Sequence, residues 1–315
     1  MRIVFLGTPD FAVATLEELI ALGFNVVAVV TAPDRPSGRG LKMKQSAVAE
    51  SAEKHGIPVL KPEKLKNPEF LHMLKEIKAD VQVVVAFRML PELVWNMPPK
   101  GTYNLHASLL PQYRGAAPIN HAIIQGEKIT GVTTFKLIHE IDKGSIALQK
   151  EIPIGIDTTA GELHDEMMVQ GAKLMSETLK LLENDTLELK PQASPTSGKL
   201  KEAPKLSPEF CRFNKNMFSL ELHNFIRGLS PYPGVNATLN EGVEQKQIKL
   251  YCSALTNREK GASHKGDLII EKDHIYICMQ DGLVEILELQ PAGKRRMLAK
   301  EYLNGLKSSA DMTLE

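Results

Sequence analysis

The sequence predicts an α/β protein with a doubly wound, mostly parallel sheet, followed by a small antiparallel β-barrel. The first part is predicted by short apolar runs that alternate with amphipathic segments over the first third of the chain. The second part is predicted by several short strand-like segments that follow one another beyond residue 207, with turn residues between them. The two parts together describe a two-domain protein.

Three apolar runs in the first part are typical of buried strands, and a fourth segment also resembles a strand. The runs are residues 3–6, 26–30 and 81–86, and the fourth segment is 103–106. Apolar residues at spacings of three and four predict helices between them over residues 11–22, 48–55 and 70–77. Strands that alternate with helices build right-handed β-α-β units, so the expected sheet is Rossmann-like, with ligands bound at the carboxyl ends of its strands.

The chain changes composition after a long amphipathic helix predicted over residues 161–183. Residues 190–199 are polar and rich in proline, glycine and serine, which is typical of a linker. We therefore predict a catalytic domain at 1–189, a linker at 190–206 and an OB-like β-barrel at 207–315. A total of 315 residues suits two domains.

Bulk composition excludes several classes of protein. Lysine plus arginine equals aspartate plus glutamate at 38 each, so a nucleic-acid partner would have to bind local basic patches. The three cysteines fit no zinc or redox spacing, which predicts reduced, buried thiols. His121, His139 and His164 have no metal-ligand spacing, so no metal is expected. No signal peptide or membrane segment is recognised, and we predict a cytoplasmic protein.

Asn104 and His106 are the first candidates for chemistry. Positions i and i+2 of a strand face the same side, so the two side chains would lie together at a strand's carboxyl end. Asp142 follows in a tight polar turn. An amide, an imidazole and a carboxylate could together stabilise an oxyanion and move protons, although each residue alone is more often a structural hydrogen-bonding group.

The segment that follows the Asn-x-His pair decides between these alternatives. Residues 104–118 contain Asn-x-His followed by Ser-Leu-Leu-Pro-x-Tyr-Arg-Gly, and this run resembles the signature of folate-dependent formyltransferases. The resemblance extends over nearly the whole chain. It includes the segments at 7–12, 33–40, 141–144, 227–233 and 289–294. It implies the formyltransferase fold and, from the basic loop and the C-terminal motifs, a member that acts on aminoacyl-tRNA.

The resemblance implies that a formyl group is transferred from 10-formyltetrahydrofolate to the α-amino group of initiator methionyl-tRNA. Asn104 and His106 would stabilise the oxyanion, His106 would also help to transfer a proton, and Asp142 would orient His106 or relay the proton of the amine. We expect no metal, a reduced folate and initiator methionyl-tRNA as partners, and a monomer.

Two sets of binding residues are implied as well. The expected folate-binding residues are Phe87, Met89, Leu90, Ser108, Leu109, Leu110, Pro111 and Ile141. The expected tRNA-binding residues are Arg35, Arg39, Lys42, Lys44, Lys294 and Arg295. The basic residues between 34 and 44 lie among glycines, and such a loop can fold onto phosphates or simply be a solvated surface loop. Arg88 departs from the glycine that many relatives carry in the 86–91 loop.

Two other enzyme functions and one binding function remain as alternatives. The catalytic motif is shared by formyltransferases that act on amino sugar nucleotides and by formyltetrahydrofolate hydrolases, which should lack the basic loop and the Gln290–Lys294 segment. A non-enzymatic RNA-binding protein could keep an inactive transferase domain, but the intact Asn104, His106 and Asp142 argue against this.

Overall fold

The computed structural model describes residues 1–37, 42–192, 199–306 and 312–315. They form two compact units, and each unit is assembled from three separate stretches of chain. The first unit comprises 1–115, 130–152 and 164–202, and the second comprises 116–129, 153–163 and 203–315. The predicted boundaries at 189 and 207 stay a prediction.

Helices and strands are mixed over the first two-thirds of the chain. In chain order they are β1 (Arg2–Gly7), α1 (Asp10–Ala21), β2 (Asn25–Val30), β3 (Arg35–Ser37), β4 (Lys42–Lys44), α2 (Ala47–Lys54), β5 (Val59–Leu60), α3 (Pro68–Glu76), β6 (Val81–Val85), α4 (Glu92–Trp95), β7 (Thr102–His106), β8 (Arg114–Gly115), α5 (Pro118–Ile124), β9 (Ile129–Lys136), β10 (Ile146–Pro153) and α6 (Ala160–Glu183).

The remaining elements are mostly strands. In chain order they are β11 (Glu202–Ala203), α7 (Ser219–Gly228), β12 (Val235–Glu241), β13 (Glu244–Leu255), β14 (Leu268–Glu271), β15 (His274–Cys278), β16 (Leu283–Pro291), β17 (Met297–Leu298), α8 (Ala299–Leu303) and β18 (Met312–Leu314).

The first unit is built on a sheet whose described strands run in the order β10-β9-β7-β6-β1-β2-β5. β1 pairs in parallel with β2 and β6, and β6 pairs in parallel with β7, whereas β9 is antiparallel to β7. Residues 3–6 of the central strand β1 have no exposed surface, which explains their continuous apolar run. The predicted doubly wound, mostly parallel sheet is confirmed.

β9 and β10 were not predicted from the sequence. Within β9, Gly131 interrupts the apolar pattern and Thr130, Thr133 and Thr134 are polar, yet all three threonines are buried. Thr134 donates or accepts a hydrogen bond with Thr178 of α6 at 2.7 Å, so its hydroxyl is satisfied in the core. The polar residues of β9 therefore do not mark exposure, and at Thr134 the polarity serves a hydrogen bond in the core.

Gly171 lets α6 lie close to β7. A Cβ atom at residue 171 would come within 2.7 Å of Leu105 Cδ2 and 3.2 Å of Leu105 Cδ1. Leu105 is buried and lies between Asn104 and His106. α6 therefore packs directly against Leu105, the residue between the two candidate catalytic side chains.

The second unit contains an antiparallel barrel with described strands in the order β14-β15-β16-β13-β12-β18. The barrel is nearly closed, because Leu314 N donates to Gly266 O at 2.7 Å and an antiparallel bridge joins Asp267 to Thr313. The predicted antiparallel β-barrel is confirmed. Buried residues of α7, including Leu222 and Ile226, contribute to its core.

α5 packs on α7 within this second unit. Asn120 Nδ2 donates to Gly228 O at 2.8 Å, and a Cβ atom at residue 228 would lie 2.6 Å from Ile124 Cγ1. The second unit therefore includes a helix that precedes β9 in the sequence.

The cysteines and helices bear on two further sequence predictions. Cys211 and Cys278 are buried, Cys252 is half-buried rather than buried, and all three thiols are free. Across the described ranges, no helix combines the length and the apolarity that spanning a membrane requires.

We predict that Gly171→Val lowers the stability of the protein by about 1–3 kcal/mol, because the new methyl groups would overpack Leu105. Lys173→Val on the same helix is the matched control, since Lys173 is exposed. Helix propensity alone favours valine over glycine, so a larger loss at residue 171 has to come from packing. Chemical denaturation checks this, and equal midpoints for the two variants would contradict it.

Candidate active site

Asn104 and His106 lie on β7, at the carboxyl end of its parallel pairing with β6. In the antiparallel pairing with β9, Asn104 is opposite Phe135 and His106 is opposite Thr133. Asn104 is half-buried, and His106 is 7% exposed. Both residues therefore occupy the strand positions that the sequence predicted, with their Cβ atoms on one face of the sheet.

The His106 imidazole is oriented by main-chain atoms. Its Nε2 lies 2.9 Å from the carbonyl oxygen of Tyr113. A carbonyl only accepts hydrogen bonds, so Nε2 carries the hydrogen, and in the neutral ring Nδ1 is the nitrogen that can accept a proton. Residue 113 itself has a positive φ of 57°, which aims this carbonyl.

Two polar side chains hold the loop that follows β7. Thr133 Oγ1 donates to Ser108 O at 2.6 Å and accepts from Leu110 N at 3.2 Å. Gln149 Nε2 donates to Leu110 O at 2.9 Å and to Thr133 Oγ1 at 3.0 Å. Neither Thr133 nor Gln149 stands out in the sequence, and only their long-range contacts show that they shape the loop.

Asp142 lies in the turn between β9 and β10. Its Oδ2 accepts from Gly115 N at 3.1 Å, and its φ is 52°. Gly144 presses the turn against β9, because a Cβ atom there would lie 1.7 Å from Lys136 O and 3.0 Å from Phe135 Cδ2. Since Phe135 is opposite Asn104, the turn lies beside the strand that carries the candidate pair.

The structure connects His106 and Asp142 through a shared segment. Tyr113 bonds the imidazole, and Gly115, two residues further on, bonds the carboxylate. Among the residues that the structure describes, no hydrogen bond joins His106 directly to Asp142. The connection between the two side chains is therefore indirect.

The expected folate-binding residues fall into two groups. Ser108 and Leu110 are buried, and Ser108 Oγ donates to Gln112 O at 2.6 Å, so both side chains serve the interior of the loop. Met89 and Ile141 are 73% and 61% exposed. Large apolar side chains exposed on this scale are available to a flat ligand.

The remaining expected folate-binding residues are half-buried. They are Phe87, Leu90, Leu109 and Pro111. Arg88 anchors the 86–91 loop, because its guanidinium donates to Glu63 O at 2.8 Å and to Pro62 O. Burial, together with the positive charge of Arg35, lowers the pKa of Arg88. The departure at residue 88 thus has a structural role in this chain.

The basic segment after β2 is a two-stranded ribbon rather than a plain loop. β3 and β4 pair antiparallel, with Arg35 opposite Lys44 and Ser37 opposite Lys42. The exposed Arg35 and Lys44 have no carboxylate partner within the described ranges, and two like charges placed opposite each other repel. Arg39 lies outside the described residues, as do its neighbours at 38, 40 and 41.

Lys294 and Arg295 lie in a turn after β16 in the second unit. Gln290 holds this turn, since its Oε1 accepts from Tyr251 Oη at 2.9 Å and its Nε2 donates to Lys294 O at 2.8 Å. The Arg295 side chain is 80% exposed and lies 3.5 Å from Glu301. Both predicted basic residues therefore belong to a surface turn.

Within the described ranges, no cluster of His, Cys, Asp or Glu residues could hold a metal ion.

Comparisons with known proteins agree with this architecture. A family model described as formyl transferase matches residues 1–179, and one described as formyl transferase, C-terminal domain, matches residues 205–307. Methionyl-tRNA formyltransferases of Parabacteroides distasonis and Azobacteroides pseudotrichonymphae are 45% and 49% identical to the chain. The alignments cover 100% and 96% of this chain and 98% and 95% of those relatives.

Solved structures share the fold at lower identity. A sugar 3N-formyl transferase, WlaRD, crystallised with dTDP and 5-N-formyl-THF, is similar with a TM-score of 0.67 at 19% identity, over 94% of this chain and 99% of that one. HypX of Aquifex aeolicus in complex with tetrahydrofolic acid has a TM-score of 0.65 at 17% identity, over 98% of this chain and 48% of that one.

The matched domains and the full-length relatives show that this chain belongs to the formyl transferase family. Within that family, it belongs with the methionyl-tRNA formyltransferases, which it matches from end to end. The resemblance on residues 104–118 is thereby confirmed.

We predict that Gly144→Ala lowers turnover at least about 10-fold, because a Cβ atom would collide with the Lys136 carbonyl and displace the Asp142 turn. Gly305→Ala is the control, since its nearest neighbour would be Tyr302 O at an ordinary 3.5 Å. Steady-state kinetics and circular dichroism of both variants check the prediction. Unchanged turnover in folded Gly144→Ala would show that the position of the turn is not needed.

Proposed function

We propose that the protein transfers a formyl group from 10-formyltetrahydrofolate to the α-amino group of initiator methionyl-tRNA, giving N-formylmethionyl-tRNA for translation initiation. The observation that carries this proposal is the end-to-end identity of 45–49% with relatives named methionyl-tRNA formyltransferase. A folate donor is supported by two structural neighbours, which were solved with 5-N-formyl-THF and tetrahydrofolic acid.

Attack of the neutral α-amine on the formyl carbon would place negative charge on the formyl oxygen. In the proposed mechanism, the Asn104 amide donates to this oxygen, and loss of one such donor costs on the order of 10²–10³ in rate. The bond between the formyl carbon and N10 of the folate then breaks, and N10 takes a proton. The new amide keeps the formyl group, and tetrahydrofolate leaves.

His106 would act through Nδ1, because Nε2 is committed to the Tyr113 carbonyl. The neutral ring can accept the proton that the attacking amine loses, and the protonated ring can then donate to the oxyanion or to N10. Asp142 would relay the proton of the amine. Its carboxylate keeps acceptor capacity beyond the hydrogen bond from Gly115 N.

Folate would bind along the loops at residues 86–91, 108–111 and 141. The exposed apolar side chains of Met89 and Ile141 would cover the flat ring, with Phe87, Leu90, Leu109 and Pro111 beside them. Buried Ser108 and Leu110 would shape the loop and leave its main-chain groups to bind the ligand.

The tRNA would be held through its phosphates. Arg35, Arg39, Lys42 and Lys44 would contact the acceptor end, and Lys294 and Arg295 would contact the backbone elsewhere. Phosphate contacts of this kind weaken as salt rises. We further propose a cytoplasmic monomer with a catalytic domain at 1–189, a linker at 190–206 and a tRNA-binding barrel domain at 207–315.

A comparison of acceptors tests the proposed function. The purified protein with 10-formyltetrahydrofolate is offered initiator methionyl-tRNA, an amino sugar nucleotide, or water alone, and formylated product and released tetrahydrofolate are measured. We expect formyl transfer to the tRNA only. Transfer to the sugar alone, or hydrolysis without an acceptor, would replace the proposal with one of the two alternative enzymes.

We predict that His106→Ala reduces turnover by on the order of 10²–10⁴, whereas the Kd for initiator tRNA changes little. The loss follows from removal of the proton acceptor Nδ1. His139→Ala is the matched control, because the His139 side chain is 86% exposed and residue 139 lies three residues before Asp142 in the chain. Single-turnover kinetics and filter binding separate the two effects. Wild-type turnover in His106→Ala would refute the assigned role.

A further inference from the structure

Gln192 lies in a segment whose composition predicted a linker, but the structure ties this segment to the sheet. Lys190 N donates to Ile146 O at 2.8 Å, and Ile146 N donates to Lys190 O at 2.7 Å. This antiparallel bridge holds the chain beside the first residue of β10. Two residues later, the half-buried Gln192 side chain reaches the turn that contains Asp142.

The Gln192 amide forms hydrogen bonds through both of its ends. Nε2 donates to Asp142 O at 2.7 Å and to Gly144 O at 2.9 Å. Oε1 accepts from Arg114 Nη2 at 2.5 Å and from Arg114 Nε at 3.2 Å, and Arg114 Nε also donates to Asp142 O at 3.1 Å. A glutamine side chain carries two N–H donors and one oxygen acceptor on the same amide. An ionised side chain has either donors or acceptors and cannot replace it.

These contacts close a ring around the candidate catalytic carboxylate. Arg114 precedes Gly115, whose N–H bonds the Asp142 carboxylate, so Gln192 joins the loop after β7 to the turn after β9. Asp142 has a φ of 52°, and such strained backbone persists only when surrounding contacts fix it. Gln192 supplies contacts of this kind from a third segment of the chain.

Beyond residues 193–198, Lys201 bonds the loop that contacts His106. Lys201 O accepts from Tyr113 N at 2.7 Å, and Lys201 N donates to Gln112 Oε1 at 2.8 Å. The Tyr113 carbonyl in turn bonds His106. Residues on both sides of 193–198 therefore bond the two loops that position His106 and Asp142.

We propose that Gln192 is a positioning residue for formyl transfer. Its amide fixes the Asp142 turn relative to Arg114 and Gly115, so that the carboxylate is held where the proton of the amine must pass. This inference rests on the proposed function, and it assigns a catalytic purpose to a segment that composition describes as a linker.

Gln192→Glu and Gln192→Ala test the proposal. Glutamate keeps the length and the acceptor for Arg114 but removes both donated hydrogens and faces two carbonyl oxygens, whereas alanine removes every contact. We expect kcat to fall about 10- to 100-fold in both variants, since small displacements of a catalytic group are costly. The KM values for folate and tRNA and the thermal midpoint should stay close to those of the wild type.

Gln247→Glu and Gln247→Ala are the matched controls. Gln247 is exposed, and its amide donates to Thr238 Oγ1 at 3.0 Å in the second unit. We expect wild-type kinetics from both. Wild-type kcat in the Gln192 variants would overturn the proposal, as would a loss of kcat that appears only together with a lowered thermal midpoint, because that result marks a merely structural contact.

The same series separates this proposal from the proposed function. Wild-type protein is assayed in parallel, and kcat is compared on whichever acceptor the wild type formylates. If the wild-type protein does not formylate methionyl-tRNA, the proposed substrate is refuted. The ratio of wild-type to variant kcat on the actual acceptor would still support or overturn the role of Gln192.

Discussion

The antiparallel pairing of β9 with β7 is the constraint on which the rest of the site depends. It places Thr133 opposite His106 and Phe135 opposite Asn104. The Thr133 hydroxyl then bonds the loop that follows β7, and the chain leaving β9 turns back at Asp142. A parallel strand at this position would run in the opposite direction, and its carboxyl end could not deliver the turn to the same place.

Much of the fold could be predicted from the sequence because its signals are local. Residues 3–6 are uniformly apolar and residues 81–85 are apolar except for Gln82, both strands are buried on both faces, and α6 has a continuous apolar stripe. β9 escaped prediction because it is polar although it is buried, and two of its threonines, Thr133 and Thr134, bond their hydroxyls within the protein, for example Thr134 with Thr178. Such partners lie far away in the sequence, and no local pattern reveals them.

In the candidate site, too, local sequence patterns were informative and contacts between distant residues were not predicted. Side chains with chemistry, such as Asn104, His106 and Asp142, could be named from motif and spacing. The groups that bond His106 and Asp142 are main-chain atoms of Tyr113 and Gly115, and main-chain geometry leaves little trace in residue type. The composition of the segment around Gln192 predicted a linker, because proline, serine and glycine are typical of flexible chain. Composition does not reveal the contacts that the Gln192 side-chain amide makes.

The second unit takes α5 and residues 153–163 from the middle of the sequence. A gene fragment that starts at residue 207 would consequently lack α5, and the face of α7 around Gly228 would lose the helix that covers it. Apolar surface uncovered in this way promotes aggregation. Fragments intended to isolate the barrel would therefore need residues 116–129 supplied with them, for instance by circular permutation.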